Sequence, residues 1–406
     1  MSRRSAAARS VATLLTAGAA VTLAGCTSTA PPAASSGGGA SAAAGGPITV
    51  QAADTACAVS AVEAPAGTIT FNVINGGEKV TEFYLYGTGD RIMGEIENIG
   101  PGLTRQLIVE VPDGGTYTTA CKPGMIGDGI RAPFTVTGSA ARSVDTNAKL
   151  AEATAGYKRY TTSQIEALVP KTQEFVDAVK AGNVDQAKAL FPVSRTYWER
   201  IEPVAESFGD LDPLLDAREA DLEEGQAWTG WHRIEKDLWP PAPDANGGET
   251  YVPLTAAERA AAAADLVANT QSLVDKVKAP DFSFEAFQIS NGAKELLDEV
   301  ASGKVTGEEE IWSHTDLWDF QANVDGAFVA FEVLRDVAGA RDAALVKTLD
   351  ERFEALNALL ATHGSLDAGF KSYDELTQSE IQALAAAVDA LSEPLSTLTA
   401  TVTGAG

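Results

Sequence analysis

The stretch Gly230-Trp231-His232-Arg233-Ile234-Glu235-Lys236 places one of the 3 histidines of the chain three residues before a carboxylate. Residues at positions i and i+3 share a face of a helix, so the side chains of His232 and Glu235 can converge on one ion. An imidazole nitrogen combined with carboxylate oxygens suits iron, manganese or zinc. The same spacing arises by chance, with the histidine hydrogen-bonded and the glutamate paired to a cation. The pair alone therefore leaves a metal site and a structural role equally open.

Three glutamates precede this pair at helical spacing. Glu199, Glu202 and Glu206 stand at positions i, i+3 and i+7, which predicts an acidic stripe along one helix. Solvated stripes usually mix acids with lysine or arginine, whereas this one contains acids only. Their mutual repulsion requires water or a cation nearby, and this favours a metal site.

Three segments together resemble the imelysin-like domain of the EfeO family, the extracytoplasmic component of a bacterial iron-uptake system. They are residues 198–212, 230–236 and 307–323. The similarity runs from about Ala155 to the C-terminus and implies a four-helix-bundle architecture with internal duplication. It also implies a metal site formed by these residues: Glu199, Glu202, Asp216, His232 and Glu235, with Glu295 as a further candidate.

The segment around His314 has two alternative interpretations. His314, Asp316 and Asp319 can form a second metal cluster at the start of a helix. Ser313, Thr315 and Asp316 are also good N-capping residues, and we favour capping combined with hydrogen bonds to the outer shell of the site. The third histidine, His363, is predicted at a helix end, where an imidazolium suits the macrodipole, and it receives no function.

The N-terminus predicts the destination of the protein. Residues 1–25 combine three arginines, an apolar run and the sequence Leu-Ala-Gly before Cys26. This is typical of a lipoprotein signal peptide that is cleaved before a lipidated Cys26. The apolar run is too short to span a bilayer. Residues 26–46 are small, uncharged and rich in Ala, Gly, Ser and Pro, which predicts a flexible tether.

Residues 47–138 change to a period of two, with turn residues at 75–77 and 113–115, and so predict a β-sandwich. The sequence from Gly115 to Cys121, followed by Met125, resembles the last strands and ligand loop of a cupredoxin. A blue-copper site needs two histidines with the cysteine, and this segment has none, so we exclude electron-transfer copper.

The resemblance implies a cupredoxin-like domain whose metal site is altered or absent. The positions that qualify as ligands are Cys57, Glu82, Cys121 and Met125, with Glu95 and Glu97 behind them. Once Cys26 is lipidated, Cys57 and Cys121 are an even pair in an oxidising compartment. They form either a disulfide, which we favour, or a pair of thiolate ligands.

After a polar connector at residues 139–155, the pattern is helical from residue 156 to 406. The predicted helices cover residues 157–181, 184–190, 196–208, 228–237, 255–278, 284–301, 317–335, 342–363 and 379–400. The predicted fold class is therefore multidomain, an all-β cupredoxin-like sandwich followed by an all-α, imelysin-like helical bundle.

The net charge of the chain restricts the kinds of ligand that it can bind. The formal net charge is −26, and removal of the signal peptide with its three arginines would make it −29. Nucleic acid is therefore an unsuitable ligand, and binding of alginate or another polyanion, a third possibility, is disfavoured for the same reason.

Two functional hypotheses remain. The first, implied by the resemblance, is an anchored lipoprotein that binds ferrous or ferric iron and delivers it to a membrane permease. A secreted haem peroxidase is the other component of such a system, and zinc and copper are alternative metals. The second is a metallopeptidase-like hydrolase of the imelysin group. Because the chain has no His-Glu-x-x-His sequence, we favour binding without catalysis.

Overall fold

The structure, a computed structural model, describes residues 46–87, 92–111, 113–139, 144–222, 226–302 and 307–403. Strands form the first part and helices the second. The predicted signal peptide, the lipidation site at Cys26 and nearly all of the predicted tether lie outside these ranges. Among the helices of the described ranges, none combines the length and apolarity needed to cross a membrane.

Two sheets form the N-terminal sandwich, with strand orders β2-β1-β4-β7 and β3-β9-β8-β5-β6. The strands are β1 (Ile48–Ala53), β2 (Ala56–Val59), β3 (Glu63–Pro65), β4 (Gly67–Asn75), β5 (Thr81–Tyr86), β6 (Ile92–Ile99), β7 (Thr104–Val111), β8 (Asp113–Pro123) and β9 (Ile130–Ser139). Alternation places every second side chain in the core, as on β1, where Ile48, Val50 and Ala52 are buried. The turn predicted at residues 113–115 is wrong. These residues begin β8, and their pairing with β9 shifts at a bulge that glycine tolerates.

A disulfide joins the two sheets. Cys57 on β2 is bonded to Cys121 on β8, with their Cα atoms 5.6 Å apart. Because each sulfur is bonded to the other, the alternative in which Cys57 and Cys121 are thiolate metal ligands is wrong for this structure.

The second part is helical. Its helices are α1 (Val144–Ala181), α2 (Val184–Glu199), α3 (Leu211–Asp216), α4 (Trp231–Leu238), α5 (Ala256–Lys278), α6 (Ala286–Ser302), α7 (Asp316–Gly339), α8 (Ala343–Leu360), α9 (Gln378–Leu395) and α10 (Leu398–Thr403). Local sequence explains several starts. Thr255 and Thr377 each form a capping box with the glutamate three residues later.

Several predicted boundaries differ from the structure. The helix α1 begins at Val144, so most of the predicted connector at residues 139–155 is helical. The helix α2 runs unbroken through residues 191–195, which were predicted to separate two helices. The last predicted helix is divided between α9 and α10, shortly after Pro394.

The acidic stripe predicted along one helix is also wrong. The helix α2 ends at Glu199, and Glu202–Phe208 forms a 3-10 turn instead. Pro203 has no N–H to donate to the carbonyl of Glu199, so the α-helical hydrogen bond to that carbonyl is lost. The Asn323 side chain donates to that carbonyl at 3.0 Å. Glu202 and Glu206 therefore do not continue the face of Glu199.

The sandwich and the helices meet where α6 packs on β6. Phe287 of α6 is buried in the hydrophobic core of the sandwich, and the Asn291 amide donates to the Met93 carbonyl at 3.5 Å. Beside this contact, residues of both parts line a cleft of about 690 Å³. Four of the helical candidates for metal binding, Glu202, Asp216, His232 and Glu295, help to line this cleft.

Candidate metal centre

The helix α4 carries His232 and Glu235 and is fixed by its first residues. The buried indole of Trp231 packs against Phe175, with ring centroids 5.1 Å apart. Gly230 has φ of 87°, and a Cβ there would lie 2.1 Å from the carbonyl oxygen of Leu215. Left-handed backbone and close approach both require glycine. This contact holds the end of α3 beside the start of α4.

The Nε2 side of His232 faces two carboxylates. Nε2 lies 3.3 Å from Asp216 Oδ1 and 3.4 Å from Glu309 Oε1. The imidazole is completely buried, and its Nε2 makes no hydrogen bond of good geometry to any residue in the described ranges. The atoms of these three residues lie within 4.8 Å of one another, as a shared metal ion requires.

The Nδ1 side faces a second pair of carboxylates. Nδ1 lies 3.2 Å from Glu235 Oε2 and 3.9 Å from Glu310 Oε2. The other oxygen of Glu235 accepts backbone N–H groups from Trp312 at 3.3 Å and Ser313 at 2.8 Å. Both oxygens of Glu235 are thus engaged, whereas the Nε2 side opens to the cleft, which Asp216, His232 and Glu309 all help to line.

Glu309 and Glu310 were not predicted as ligands. They lie between α6 and α7, where the chain has no helical period that would assign them to a face. Two adjacent acids are usually solvated, yet Glu309 is 4% exposed and Glu310 is fully buried. Their position within one of the three segments that carry the family resemblance was the available signal.

Arg195 was missed as well. Its guanidinium is completely buried on α2, one turn before Glu199. It contacts five carboxylates. Its Nε lies 2.7 Å from Glu310 Oε1 and 3.4 Å from Asp319 Oδ1. Its Nη2 lies 2.5 Å from Glu199 Oε1 and 3.6 Å from Glu309 Oε1, and its Nη1 contacts Asp216 Oδ1. The i, i+4 spacing of Arg195 and Glu199 is typical of an ion pair on a helix surface, so the sequence does not indicate that Arg195 is buried.

The charges around the centre lower the pKa of Asp216 and raise the pKa of His232. Burial acts to raise the pKa of Asp216, but the positive charges of Arg195 and His232 hold it well below its ordinary value. Burial and Arg195 act to lower the pKa of His232. The carboxylates of Glu310, Asp216 and Glu235 outweigh both, so this pKa stands well above its ordinary value. The neighbouring carboxylates therefore favour the protonated form of His232 when no metal is bound.

Two predicted ligands, Glu199 and Glu202, are linked to the surroundings of His232 through other side chains. Glu199 Oε1 accepts from Arg195, and its Oε2 accepts from the Asn323 amide at 3.0 Å. The same amide donates to Glu202 Oε2 at 2.6 Å. The structure thus gathers Glu199 and Glu202 around Asn323 and connects them to the centre through Arg195.

Glu295 lies at the contact with the sandwich. Its Oε1 accepts the backbone N–H of Glu95 at 3.3 Å, and burial raises its pKa to about 7. Burial, together with the charges of Glu206 and Glu295, holds the pKa of Glu95 well above its ordinary value. These three glutamates line the same cleft as His232. Within the described residues, Glu295 belongs to neither group that surrounds His232.

The sandwich candidates do not form a cluster around the two sulfurs. Glu82 Oε2 accepts from the Tyr84 hydroxyl at 3.0 Å and lies 3.8 Å from Lys122 Nζ. Glu82 and Met125 line the cleft, while both cysteines are held in the disulfide. The Glu97 side chain lies outside the described part of the structure.

The segment before α7 does not cap that helix as predicted. Thr315 occupies the N-cap position but makes no side-chain capping bond. Asp316 instead accepts the backbone N–H of Glu310 at 3.1 Å, and Asp319 contacts Arg195. These two residues support the centre from its outer shell, as expected. His314 belongs to neither group of ligand atoms found in the described ranges.

The remaining histidine, His363, belongs to neither group of ligand atoms found among the described residues. His363 lies just after α8, and its Nδ1 is 3.8 Å from Glu380 Oε1.

Comparison with known proteins identifies both parts of the chain. A family model described as imelysin matches residues 153–398, and one described as a cupredoxin-like domain matches residues 15–136. Among solved structures, dithionite-reduced auracyanin from the photosynthetic bacterium Roseiflexus castenholzii is 21% identical, with a TM-score of 0.20. The match covers 24% of this chain and 100% of auracyanin.

Curated relatives match over most of their length. The iron uptake system component EfeO of Escherichia coli strain K12 is 34% identical over 357 residues, which cover 86% of this chain and 90% of that protein. The protein of the same description from Shigella flexneri gives the same values. The architecture is thus a cupredoxin-like sandwich followed by an imelysin-like helical domain, and the chain belongs to the EfeO family.

Proposed function

We propose that this protein binds one iron ion between Asp216, His232 and Glu309, as the iron-capturing component of an uptake system. The observation that carries the proposal is His232 Nε2, a buried nitrogen that lies 3.3 and 3.4 Å from two carboxylate oxygens and makes no hydrogen bond of good geometry to any described residue. A buried polar atom of this kind normally has a partner, and a cation shared with both carboxylates supplies one.

Glu235 acts from the outer shell in this proposal. Its Oε2 faces His232 Nδ1, and its Oε1 accepts two backbone N–H groups. A carboxylate on the far nitrogen fixes the tautomer and orientation of a ligating histidine and raises its basicity. The His-x-x-Glu sequence therefore supplies one ligand, His232, and the residue that orients it.

The choice of iron rests on the relatives. One imidazole nitrogen with carboxylate oxygens also suits manganese and zinc, while copper is a further alternative. The matched proteins are described as iron uptake system components, so we assign ferrous or ferric iron as the cargo.

The cleft supports delivery of a free cation to the centre. The described residues that line it include many acids and, as basic side chains, Arg105 and Arg218. Arg218 is paired with Asp221 at 2.7 Å. A cleft lined by one sign of charge raises the local concentration of the opposite ion. The same field repels an anionic iron chelate.

The cellular setting follows from the N-terminal sequence and the family. We propose an extracytoplasmic lipoprotein, anchored through Cys26, that hands iron to a membrane permease and works beside a secreted haem peroxidase. Replacement of Cys26 by serine is expected to release the protein from the membrane fraction. Retention of Cys26→Ser on the membrane would contradict the lipid anchor.

A hydrolase is the alternative. In a hydrolase built on the His-x-x-Glu sequence, Glu235 would be the base that activates water, but both of its oxygens are engaged. We therefore propose binding without turnover. Cleavage of peptides by the metal-loaded protein, lost in His232→Ala, would contradict this.

Anaerobic calorimetric titration with Fe²⁺ tests the metal site. The wild type is expected to bind one ion per chain. His232→Ala and Glu309→Ala are each expected to weaken binding by about 100-fold or more, since even outer-shell changes cost 10 to 100-fold. The matched control is Glu308→Ala, which removes the neighbouring exposed carboxylate and should leave the affinity nearly unchanged. Equal affinities in all four proteins would refute the assignment.

A further inference from the structure

Beside the proposed iron position, a second set of carboxylates converges on a point that is filled by Arg195. Five carboxylate groups each have an oxygen within 3.6 Å of its guanidinium nitrogens. They come from α2, from the end of α3, from the segment before α7 and from α7 itself. Convergence from four separate parts of the chain is the arrangement of a metal site in a helical bundle.

Two of these carboxylates belong to both sets. Asp216 and Glu309 contact Arg195 and also face His232 Nε2. Carboxylates that lie between two cations are typical of two-metal sites, where the ions are about 3.5–4 Å apart. The remaining three, Glu199, Glu310 and Asp319, would bind only an ion in the second position.

A guanidinium is suited to fill that position permanently. It has five N–H donors in a planar fork and cannot lose its charge in a protein. It is also tethered to α2, so it cannot diffuse away as a bound ion can. Burial of so many carboxylates without a cation would be strongly destabilising, and Arg195 supplies one in the absence of metal.

We propose that Arg195 occupies the place of a second metal ion and thereby limits the centre to one ion per chain. This inference rests on the proposed metal site at His232. Its functional consequence is release, because one ion bound through shared carboxylates dissociates more readily than two ions that the same carboxylates bridge. Arg195 is a positioning residue in this account and does not itself contact the iron.

Manganese(II) is a suitable probe, since it prefers carboxylate ligands and its electron paramagnetic resonance spectrum separates isolated ions from coupled pairs. The purified full chain is expected to bind one Mn²⁺ with an uncoupled spectrum. Arg195→Ala leaves a cavity lined by carboxylates and is expected to bind two Mn²⁺ with a coupled spectrum. Arg195→Lys keeps the charge and should remain at one ion.

Two controls separate this role from general stability. Arg200→Ala removes a nearby arginine that pairs with Asp325 at 3.1 Å near the surface, and it should still bind one ion. Free guanidinium added to Arg195→Ala at millimolar concentration should displace one of the two ions. A purely structural role of Arg195 would change neither the stoichiometry nor the coupling.

The outcomes distinguish the two proposals. If the wild type binds no ion, or His232→Ala binds as well as the wild type, the proposed metal site fails. If the wild type binds one ion while Arg195→Ala also binds one, or binds two without coupling, only the Arg195 inference fails. Should Arg195→Ala not fold, Arg195→Gln is measured and both are refolded with Mn²⁺. Failure of both to take up a second ion overturns the inference.

Discussion

His232 is flanked by carboxylates on both ring nitrogens, and this determines how the centre behaves without metal. Its pKa stands well above the ordinary value because the neighbouring carboxylates outweigh burial and the charge of Arg195. The carboxylates thus favour the imidazolium form, whose proton on Nε2 occupies the place of the ion. A metal must displace that proton to bind.

Iron binding should therefore release a proton from His232 and weaken as the pH falls. Since the pKa is raised, the decline is expected to begin above pH 6.5, the ordinary value for histidine, and to approach tenfold per pH unit below the raised pKa. Calorimetry of Fe²⁺ binding in buffers of different ionisation enthalpy counts the protons. In Glu235→Gln, which loses one of the charges that raise the pKa, the decline should begin at lower pH. An affinity that is constant from pH 8 to pH 6 would exclude His232 as a ligand.

The sequence identified part of this centre at the level of single residues. Asp216, His232 and Glu235 lie together as the resemblance implied. Arg195 and Glu309 were missed because burial decides their role, and burial depends on contacts between distant segments. From sequence alone a charged residue is predicted to be exposed to solvent unless its partners are known. The partners of Arg195 come from four parts of the chain.

At the level of elements, the position of α3 relative to α4 determines whether Asp216 reaches His232. The two helices are short and could not hold each other by length alone. Gly230 permits the carbonyl of Leu215 to approach, and Trp231 anchors the start of α4 in the aromatic core. The Trp228 indole also donates to the Ala217 carbonyl at 2.8 Å, directly after α3.

Gly230→Ala is expected to separate these helices. The added Cβ would lie 2.1 Å from Leu215 O, on a backbone with φ of 87°, and such strain costs roughly 1–3 kcal/mol. Iron affinity should fall together with the free energy of unfolding, measured by denaturant titration.

Gly339→Ala is the matched control. A Cβ at this position of α7 would meet the Val346 side chain at an ordinary 3.7 Å, so the change should be neutral or slightly stabilising. If Gly230→Ala binds iron as tightly as the wild type does, the Gly230 contact does not position Asp216.

Elements were predictable where a local signal marks their ends. The helix predicted at residues 255–278 coincides with α5, whose start is marked by the capping box between Thr255 and Glu258. The end of α2 was misjudged because the helix predicted at residues 196–208 continues through Pro203, and a proline inside a helix can kink it without ending it. Only the Asn323 side chain, which takes over the carbonyl of Glu199, settles where the α-helix stops.

For the whole molecule, the cleft connects the metal centre with the sandwich. His232 lines it together with Glu95 of β6 and with Glu206 and Glu295 of the helical part. The two domain types were predictable from the change in period near residue 140. The contact between the two domains was not predictable, because the sequence pattern of the helix face that contains Phe287 and Glu295 does not differ from that of other amphipathic helices.

Glu295 makes the stability of this contact depend on pH. Burial raises its pKa from 4.5 to about 7, so between these values the folded chain holds a proton that the unfolded chain has released. Stability from this group is fully present below about pH 4.5 and is lost as the pH rises through about 7. The loss amounts to a few kcal/mol at most, since one pKa unit corresponds to about 1.4 kcal/mol.

Glu295→Gln should remove that dependence, because a glutamine amide keeps the acceptor for the Glu95 N–H and cannot ionise. The stability of the variant relative to the wild type is therefore expected to rise from pH 4.5 to pH 7 and then to level off, as measured by denaturant unfolding of metal-free protein. Glu285→Gln, at an exposed position just before α6, should show no such trend. A difference between Glu295→Gln and wild type that stays constant with pH would mean that Glu295 is ionised in the folded protein, and the contact between α6 and β6 would then have to accommodate a charge.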